Sequence, residues 1–331
     1  MNWDLRRIAP VAVVLLLIPP LFFSESVTYI SRIFILMALY AILTISLNIV
    51  FGHTDQLLLF TGAVTGIGAY TTALSAEALG VSPWLTLLFG AVVAALIGAL
   101  VCYVAAIREL TVIVISILTL ALQFSIIELI NSQRAITGGV TGLTFTGLRI
   151  EQLEEALGVS PNVVLFYVLG ALLLGLMVFY QFLMNSKYGL AFDMIRQDEV
   201  AAESAGLDVV RYKTIAGFTA TFVMGLTGPF FAQLAGYATP RLFSFNSIDV
   251  LILIMLIVGG LRTMYGPLVG AFVIILLDQQ LRNFAEYRSI IFGVLLIFLF
   301  LYFRDGVVPF VDSHLERYNI KRRVVNLRPG S

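Results

Sequence analysis

The 331 residues carry a formal net charge of zero, are 60% hydrophobic and only 12% charged, and have a mean hydropathy of +0.98, which excludes a soluble multidomain chain and makes the bilayer the solvent. Balanced charge leaves no basic face for nucleic acid, while one cysteine, Cys102, and two distant histidines, His53 and His314, provide neither a disulfide framework nor a metal-ligand cluster. No GxxxxGK[ST] motif occurs, and the only lysines are Lys187, Lys213 and Lys321, so the chain has no nucleotide-binding P-loop.

Lipid offers no partner to backbone N–H and C=O groups, so apolar runs near twenty residues read as helices. Ten are expected, at 8–23, 27–51, 57–78, 83–106, 110–130, 161–184, 212–236, 247–262, 266–283 and 288–303, with eight or nine as the alternative counts. The expected fold class is an all-α polytopic membrane protein. Arg6 and Arg7 before the first run imitate a secretory signal, but no small-residue cleavage site follows and the run reads as a retained helix. The third run, LLLFTGAVTGIGAYTTALS, has Gly62, Gly66, Ala69 and Ala73 spaced for close helix approach. After the fifth, TGGVTGLTFTGL and then EQLEEALG read as a glycine-rich loop and a short polar helix within 131–160. With the N-terminus inside, 14 of the 20 Lys and Arg fall on one side. That places both termini, the loop 185–213 and the tail 304–331 in the cytoplasm, with 131–160 outside and 1–303 forming the membrane domain.

Polar residues within the runs are candidates for a pathway because burying them is costly. Asn48, Gln56, Thr65, Tyr70 and Gln123 form the candidate set, with interhelical hydrogen bonding as the structural alternative for Asn48. Asp55 reads as a cap or solvated turn, and Glu128, Asp249 and Asp278 as carboxylates near outer ends that reach water. Cys102 reads as a buried free thiol.

The densest charge lies in IRQDEVAAESAGLDVVRYK, where Lys187 to Lys213 include nine charged residues that cannot sit in hydrocarbon. Asp198 is a good N-cap and Gly206 a good stop for a helix of about two turns. Projection puts Glu199 and Glu203 on one edge with Val200 and Leu207 beside them, and Ala201, Ala202 and Ala205 on the remaining arc. So short a helix is unstable alone and needs a partner, unless the stretch is simply a solvated loop.

YGLAFDMIRQDEVAAESAGLDVVRYK resembles the cytoplasmic loop of LivM-like permeases of branched-chain amino acid ABC importers. SLNIVFGHTDQLLLFTGAVTGIGAYTTAL, ITGGVTGL and FSFNSIDVLILIMLIVGGLRTMYGPLVGA resemble three further blocks of that family in the same order, over about residues 35–305. The resemblance implies the permease subunit of an ATP-driven importer in a prokaryotic inner membrane, with no enzyme site and no cofactor of its own. ATP would be used by separate cytoplasmic ATPase subunits, a second, LivH-like permease would complete the pathway, and an extracytoplasmic binding protein would deliver the solute. It implies a coupling helix comprising Arg196, Asp198, Glu199, Ala201, Ala202, Glu203, Gly206 and Arg211. Asp55, Leu58, and Phe60 with Thr61 stand where the family has glycine, serine and Gly-His, and Arg262 replaces a small residue, so the solute is open among branched-chain amino acids, urea and short amides. The alternative class is an ion-coupled secondary transporter of small amino acids, which would carry midplane carboxylates or paired broken helices. An intramembrane enzyme finds no His-containing constellation.

Overall fold

Intrahelical hydrogen bonds absorb most of the backbone in the computed structural model, which describes residues 8–22, 28–144, 147–148, 160–281, 290–291, 293–294, 297–298, 301 and 306–310. The helices are α1 (Ala9–Phe22), α2 (Thr28–Leu47), α3 (Thr61–Leu79), α4 (Pro83–Ile107), α5 (Val112–Ser132), α6 (Arg134–Thr137), α7 (Pro161–Met184), α8 (Lys187–Gln197), α9 (Glu199–Ser204), α10 (Val209–Ala235), α11 (Asp249–Gly259) and α12 (Gly266–Leu281). Among the described residues, five stretches are long and apolar enough to span a bilayer: Tyr29–Gly52, Pro83–Ile107, Val112–Ser132, Pro161–Met184 and Val209–Ala235. EQLEEALG, and most of the expected tenth span and of the tail, lie outside the described residues.

Local chemistry sets the helix ends. Proline opens α4 and α7 after Ser82 and Ser160, where its missing N–H costs nothing. Gly80 and Gly236, both at positive φ, terminate α3 and α10. At the α10 terminus, Tyr237–Ala238 (β2) pairs antiparallel with Leu143–Thr144 (β1), a two-residue ribbon that qualifies the all-α expectation. The ribbon marks one end of the bundle; α8 and α9, next to the start of α10, mark the other.

Three differences from the expected spans matter. The second helix is not uniform, because α2 continues as a π-helical segment over Asn48–Gly52. The third begins at Thr61 rather than near residue 57, since residues 55–60 are not helical. The eighth shrinks to α11, 11 residues or about 16 Å, roughly half the hydrocarbon thickness. Gly260 at φ 114° and Arg262 at φ 63° turn the chain sharply before α12 starts.

Helices in lipid gain nothing by hiding apolar surface from lipid tails, so contact must come from close packing of small residues. α10 lies between α3 and α4 along such a seam. A Cβ on Gly68 would meet the backbone of Gly225, one on Gly98 the Thr221 side chain, one on Gly217 Cys102, and one on Gly228 the Thr65 carbonyl. Cys102 is fully buried against this seam as a free thiol. A second close contact joins α11 to α12, where Gly270 abuts the Met255 carbonyl. Gly68→Val is therefore expected to lower the yield of monodisperse protein in detergent by several-fold, whereas Gly175→Ala, with open space around it, leaves size-exclusion profile and melting temperature unchanged.

Candidate functional site

Two polar regions stand out in the apolar bundle. The first is at mid-depth. α3 starts inside the protein, and each of its first four N–H groups has an acceptor. Thr61 and Gly62 donate to the two carboxylate oxygens of Asp249 at 2.6 and 3.2 Å, Ala63 donates to Gln123 Oε1 at 2.6 Å, and Val64 to the Phe60 carbonyl at 3.0 Å. Gln123 Nε2 in turn donates to the Phe243 carbonyl at 2.8 Å, and Leu59 N–H donates to Thr119 Oγ1 at 2.9 Å. Gly62 is required here, because a Cβ would press on Phe243, Asp249 and Gln123 together. Asp249 precedes Gly259 by ten residues, about 15 Å of helix, and Gln123 follows Val112 by 11, about 16 Å, so both sit near the middle of the bundle. Asp249 is 2% exposed. The expectation that it reaches water near an outer end is thus corrected: α11 is short, and its first residue lies deep, against the start of another helix.

The second region is the α8–α9 end. Ser186 Oγ accepts from Tyr188 N–H to cap α8, and Asp198 Oδ1 accepts from Ala201 N–H at 3.0 Å to cap α9. Gly206 at φ 87° ends the turn, and Asp208 Oδ1 caps α10 through Arg211 N–H at 2.9 Å. Ala202 is buried with Ile195 and Val209, and Leu207 and Tyr212 pack against them. The projection put Ala201, Ala202 and Ala205 on one arc; in the structure Ala202 faces its own bundle while Val200, at 73% exposure, points away. Leu190, one turn before Met194 on α8, is likewise exposed.

Glu199 reaches back rather than out. Its Oε1 accepts from Lys213 Nζ at 2.5 Å, and Lys213 is buried in the second turn of α10. The Lys213 carbonyl accepts from Gln56 Nε2 at 3.2 Å. Gln56 is fully buried and also donates to Thr54 Oγ1 at 3.0 Å, while its Oε1 has no partner among the described residues.

Beside this contact, Asn48 fastens the α11–α12 turn to the π segment. Its Oδ1 accepts from Arg262 N–H at 2.8 Å, and its Nδ2 donates to the Thr263 carbonyl at 3.1 Å and Tyr180 Oη at 3.3 Å. His53 Nε2 lies 2.8 Å from the same hydroxyl. A Cβ on Gly52 would collide with Asn48 Oδ1, which explains a glycine at the end of the π segment.

These contacts account for the candidate pathway residues one by one. Asn48, Gln56 and Gln123 make the tertiary bonds just described, Thr65 Oγ1 donates to the Thr61 carbonyl at 2.7 Å, and Tyr70 Oη donates to the Ala238 carbonyl at 2.9 Å. All five are buried. None lines the apolar cavity of about 470 Å³ bounded by Leu15, Phe34, Phe166 and Tyr265, or the cavity of about 400 Å³ near Tyr29 and Arg32. Among the described residues, no group of three or more His, Cys, Asp or Glu is placed to hold a metal ion.

Residues 29–300 match the family described as branched-chain amino acid transport system / permease component. The chain belongs to that family. The permease is 27% identical over 304 residues to the high-affinity branched-chain amino acid transport system permease protein LivM of Escherichia coli K12, covering 86% of this chain and 71% of that protein. It is 27% identical over 298 residues to LivM of Salmonella typhimurium LT2, covering 84% and 69%. A third similar protein, of Methanocaldococcus jannaschii, is named "Probable branched-chain amino acid transport permease protein LivH"; it is 26% identical over 245 residues, covering 71% of this chain and 75% of that one. No solved structure matches the permease. Its membership makes it a multi-pass transport subunit of an ABC importer rather than an enzyme.

Four side chains of this site escaped the sequence. Lys213 was visible only as a loop charge, Leu190 and Met194 only as members of the stretch YGLAFDMIRQ, and Asp249 as an acid near the outer end of an apolar run, with no sign that it caps a different helix. For Asp249, replacement by Ala strips two buried N–H groups of their acceptor, each worth about 1–3 kcal/mol. Asp249→Ala is expected to lower the melting temperature in detergent strongly and Asp249→Asn by less, since the amide oxygen still accepts one bond.

Proposed function

We propose that the permease carries branched-chain amino acids or similar small solutes across a prokaryotic inner membrane, with ten transmembrane helices, both termini and the α8–α9 end cytoplasmic. In this reading α8, α9 and the start of α10 form the surface on which a cytoplasmic ATPase docks. A second, LivH-like permease completes the pathway, and an extracytoplasmic binding protein delivers solute at the ribbon end.

The observation that carries the docking surface is the exposure of Leu190, Met194 and Val200, at 69, 44 and 73%, on a segment otherwise rich in charge. A solvated loop has no use for three large apolar side chains there, whereas a partner protein covers them. Asp198, Ala201, Glu203, Gly206 and Arg211, all exposed, frame the same surface. Arg196 is partly buried and Ala202 supports the surface from behind. The relatives named for branched-chain amino acid transport support that solute class. Few buried charges are needed for a zwitterion whose tight recognition resides in the binding protein. Asn48, Gln56, Thr65, Tyr70 and Gln123 then shape the pathway by fixing the helices that enclose it.

The ion-coupled alternative gains a mid-depth carboxylate in Asp249, but both of its oxygens are engaged by α3. Two measurements separate the readings. Val200→Asp, with Leu190→Asp, is expected to cut co-purification of the ATPase at least several-fold while leaving membrane insertion intact. Uptake in proteoliposomes is expected to require ATP and to persist when the ion gradient is collapsed at fixed ATP; uptake that follows the gradient instead would establish the secondary transporter.

A further inference from the structure

We infer that Lys213 and Gln56 are the positioning residues through which movement of the docked α9 helix reaches the mid-depth start of α3, an inference that rests on the docking surface proposed above.

The contacts form a continuous route. Glu199, the first residue of α9, holds the Lys213 ammonium at 2.5 Å. Glu199 is half-exposed on the docking side and Lys213 is 5% exposed on the bundle side, so the pair joins the surface to the interior. Lys213 is rigidly part of α10, and its carbonyl accepts from Gln56 Nε2 at 3.2 Å. Gln56 lies in the non-helical segment 55–60, which leads into Thr61, whose N–H is held by Asp249. Between Gln56 and Thr61 the chain is anchored by Thr119 Oγ1, which accepts from Leu59 N–H at 2.9 Å, and by Thr61 Oγ1, which donates to the Leu58 carbonyl at 3.4 Å.

Each link is of a kind that transmits displacement. Among the described residues the buried ammonium has its side-chain acceptor in Glu199, so α9 cannot shift without dragging Lys213 or leaving it unpaired, and the second outcome is costly. α10 is locked to α3 and α4 by the glycine seam and moves as a body with little compliance. The segment 55–60 is the part able to change shape, because its backbone lacks an intrahelical ladder. A small shift at α9 is therefore delivered to the N-terminus of α3, where a helix end faces the centre of the bundle. The spare Gln56 Oε1, buried without a partner, marks a side chain that can exchange hydrogen bonds during such a shift.

The test uses the whole importer in proteoliposomes, with both permeases, the ATPase subunits and the binding protein, and reads leucine uptake per ATP hydrolysed. Glu199→Gln, Lys213→Met and Gln56→Leu are each expected to retain the ATPase on purification and to lower uptake per ATP roughly tenfold, within the range of ordinary coupling energies. Lys213→Arg should restore most of the ratio, and Gln56→Leu added to Lys213→Met should cost little more than either alone, as for members of one linkage. Should Lys213→Met fail to fold, Glu199→Gln, made at the half-exposed partner, carries the test. An unchanged ratio in assembled Glu199→Gln and Gln56→Leu importers overturns the inference. Loss of the ATPase from Glu199→Gln also overturns it, because Glu199 would then be a docking residue only. Val200→Asp with a normal ATPase yield would instead overturn the docking surface itself.

Discussion

A helix that begins in the middle of a membrane protein exposes N–H groups to a medium with no acceptor, and the arrangement of this permease follows from meeting that demand at α3. Asp249 and Gln123 supply three acceptors for Thr61, Gly62 and Ala63. To bring Asp249 to that depth, α11 must be short and must be followed by a turn that returns the chain to the bundle. The turn has Gly260 and Arg262 at positive φ, and Asn48 secures it through the Arg262 N–H and Thr263 carbonyl. The π segment that carries Asn48 and the tight glycine at its end belong to the same solution. Carboxylate, short helix, left-handed turn and irregular α2 are one interlocking device, spread over residues far apart in sequence.

The glycine seam does a different job. α10 connects the α9 end to the β ribbon, and its contact with α3 is backbone on backbone at Gly68, Gly225 and Gly228. Packing of that kind has no flexible side chains to absorb a displacement. Among the described residues the helical ladder is interrupted at 55–60 and 260–265, and each interruption has a buried amide, Gln56 within the first and Asn48 bonded to the second.

What the sequence made legible is what depends on neighbours along the chain. Apolar runs located α1, α2, α4, α5, α7 and α10 to within a few residues, because bilayer thickness fixes their length. Asp198 and Gly206 located α9 for the same local reason. The start of α3 was misplaced because QLLLF is as apolar as a helix, and only its lack of a ladder, a tertiary fact, makes it extended. Asp249 was misplaced because an acid at the edge of an apolar run reads as the water boundary, and nothing in the sequence tells that its acceptor role lies 188 residues away, at Thr61. The inward face of α9 was not legible, since a two-turn helix of small residues has no clear apolar stripe; Ile195 and Val209, on its flanking elements, decide which side is in.

A buried carboxylate at mid-depth is the usual mark of ion coupling, and its presence here shows why position alone is a poor guide. An ion-coupling carboxylate must exchange partners during the transport cycle, whereas each oxygen of Asp249 accepts from a backbone N–H group at the start of α3. Releasing them would uncap α3 within the bundle, at a cost comparable to the free energy an ion gradient would have to supply. The group is held by the fold as the N-terminal cap of α3. In a chain without a P-loop, the α8–α9 end, with apolar side chains turned outward and the Lys213–Glu199 pair behind them, is the surface proposed above to receive an ATPase.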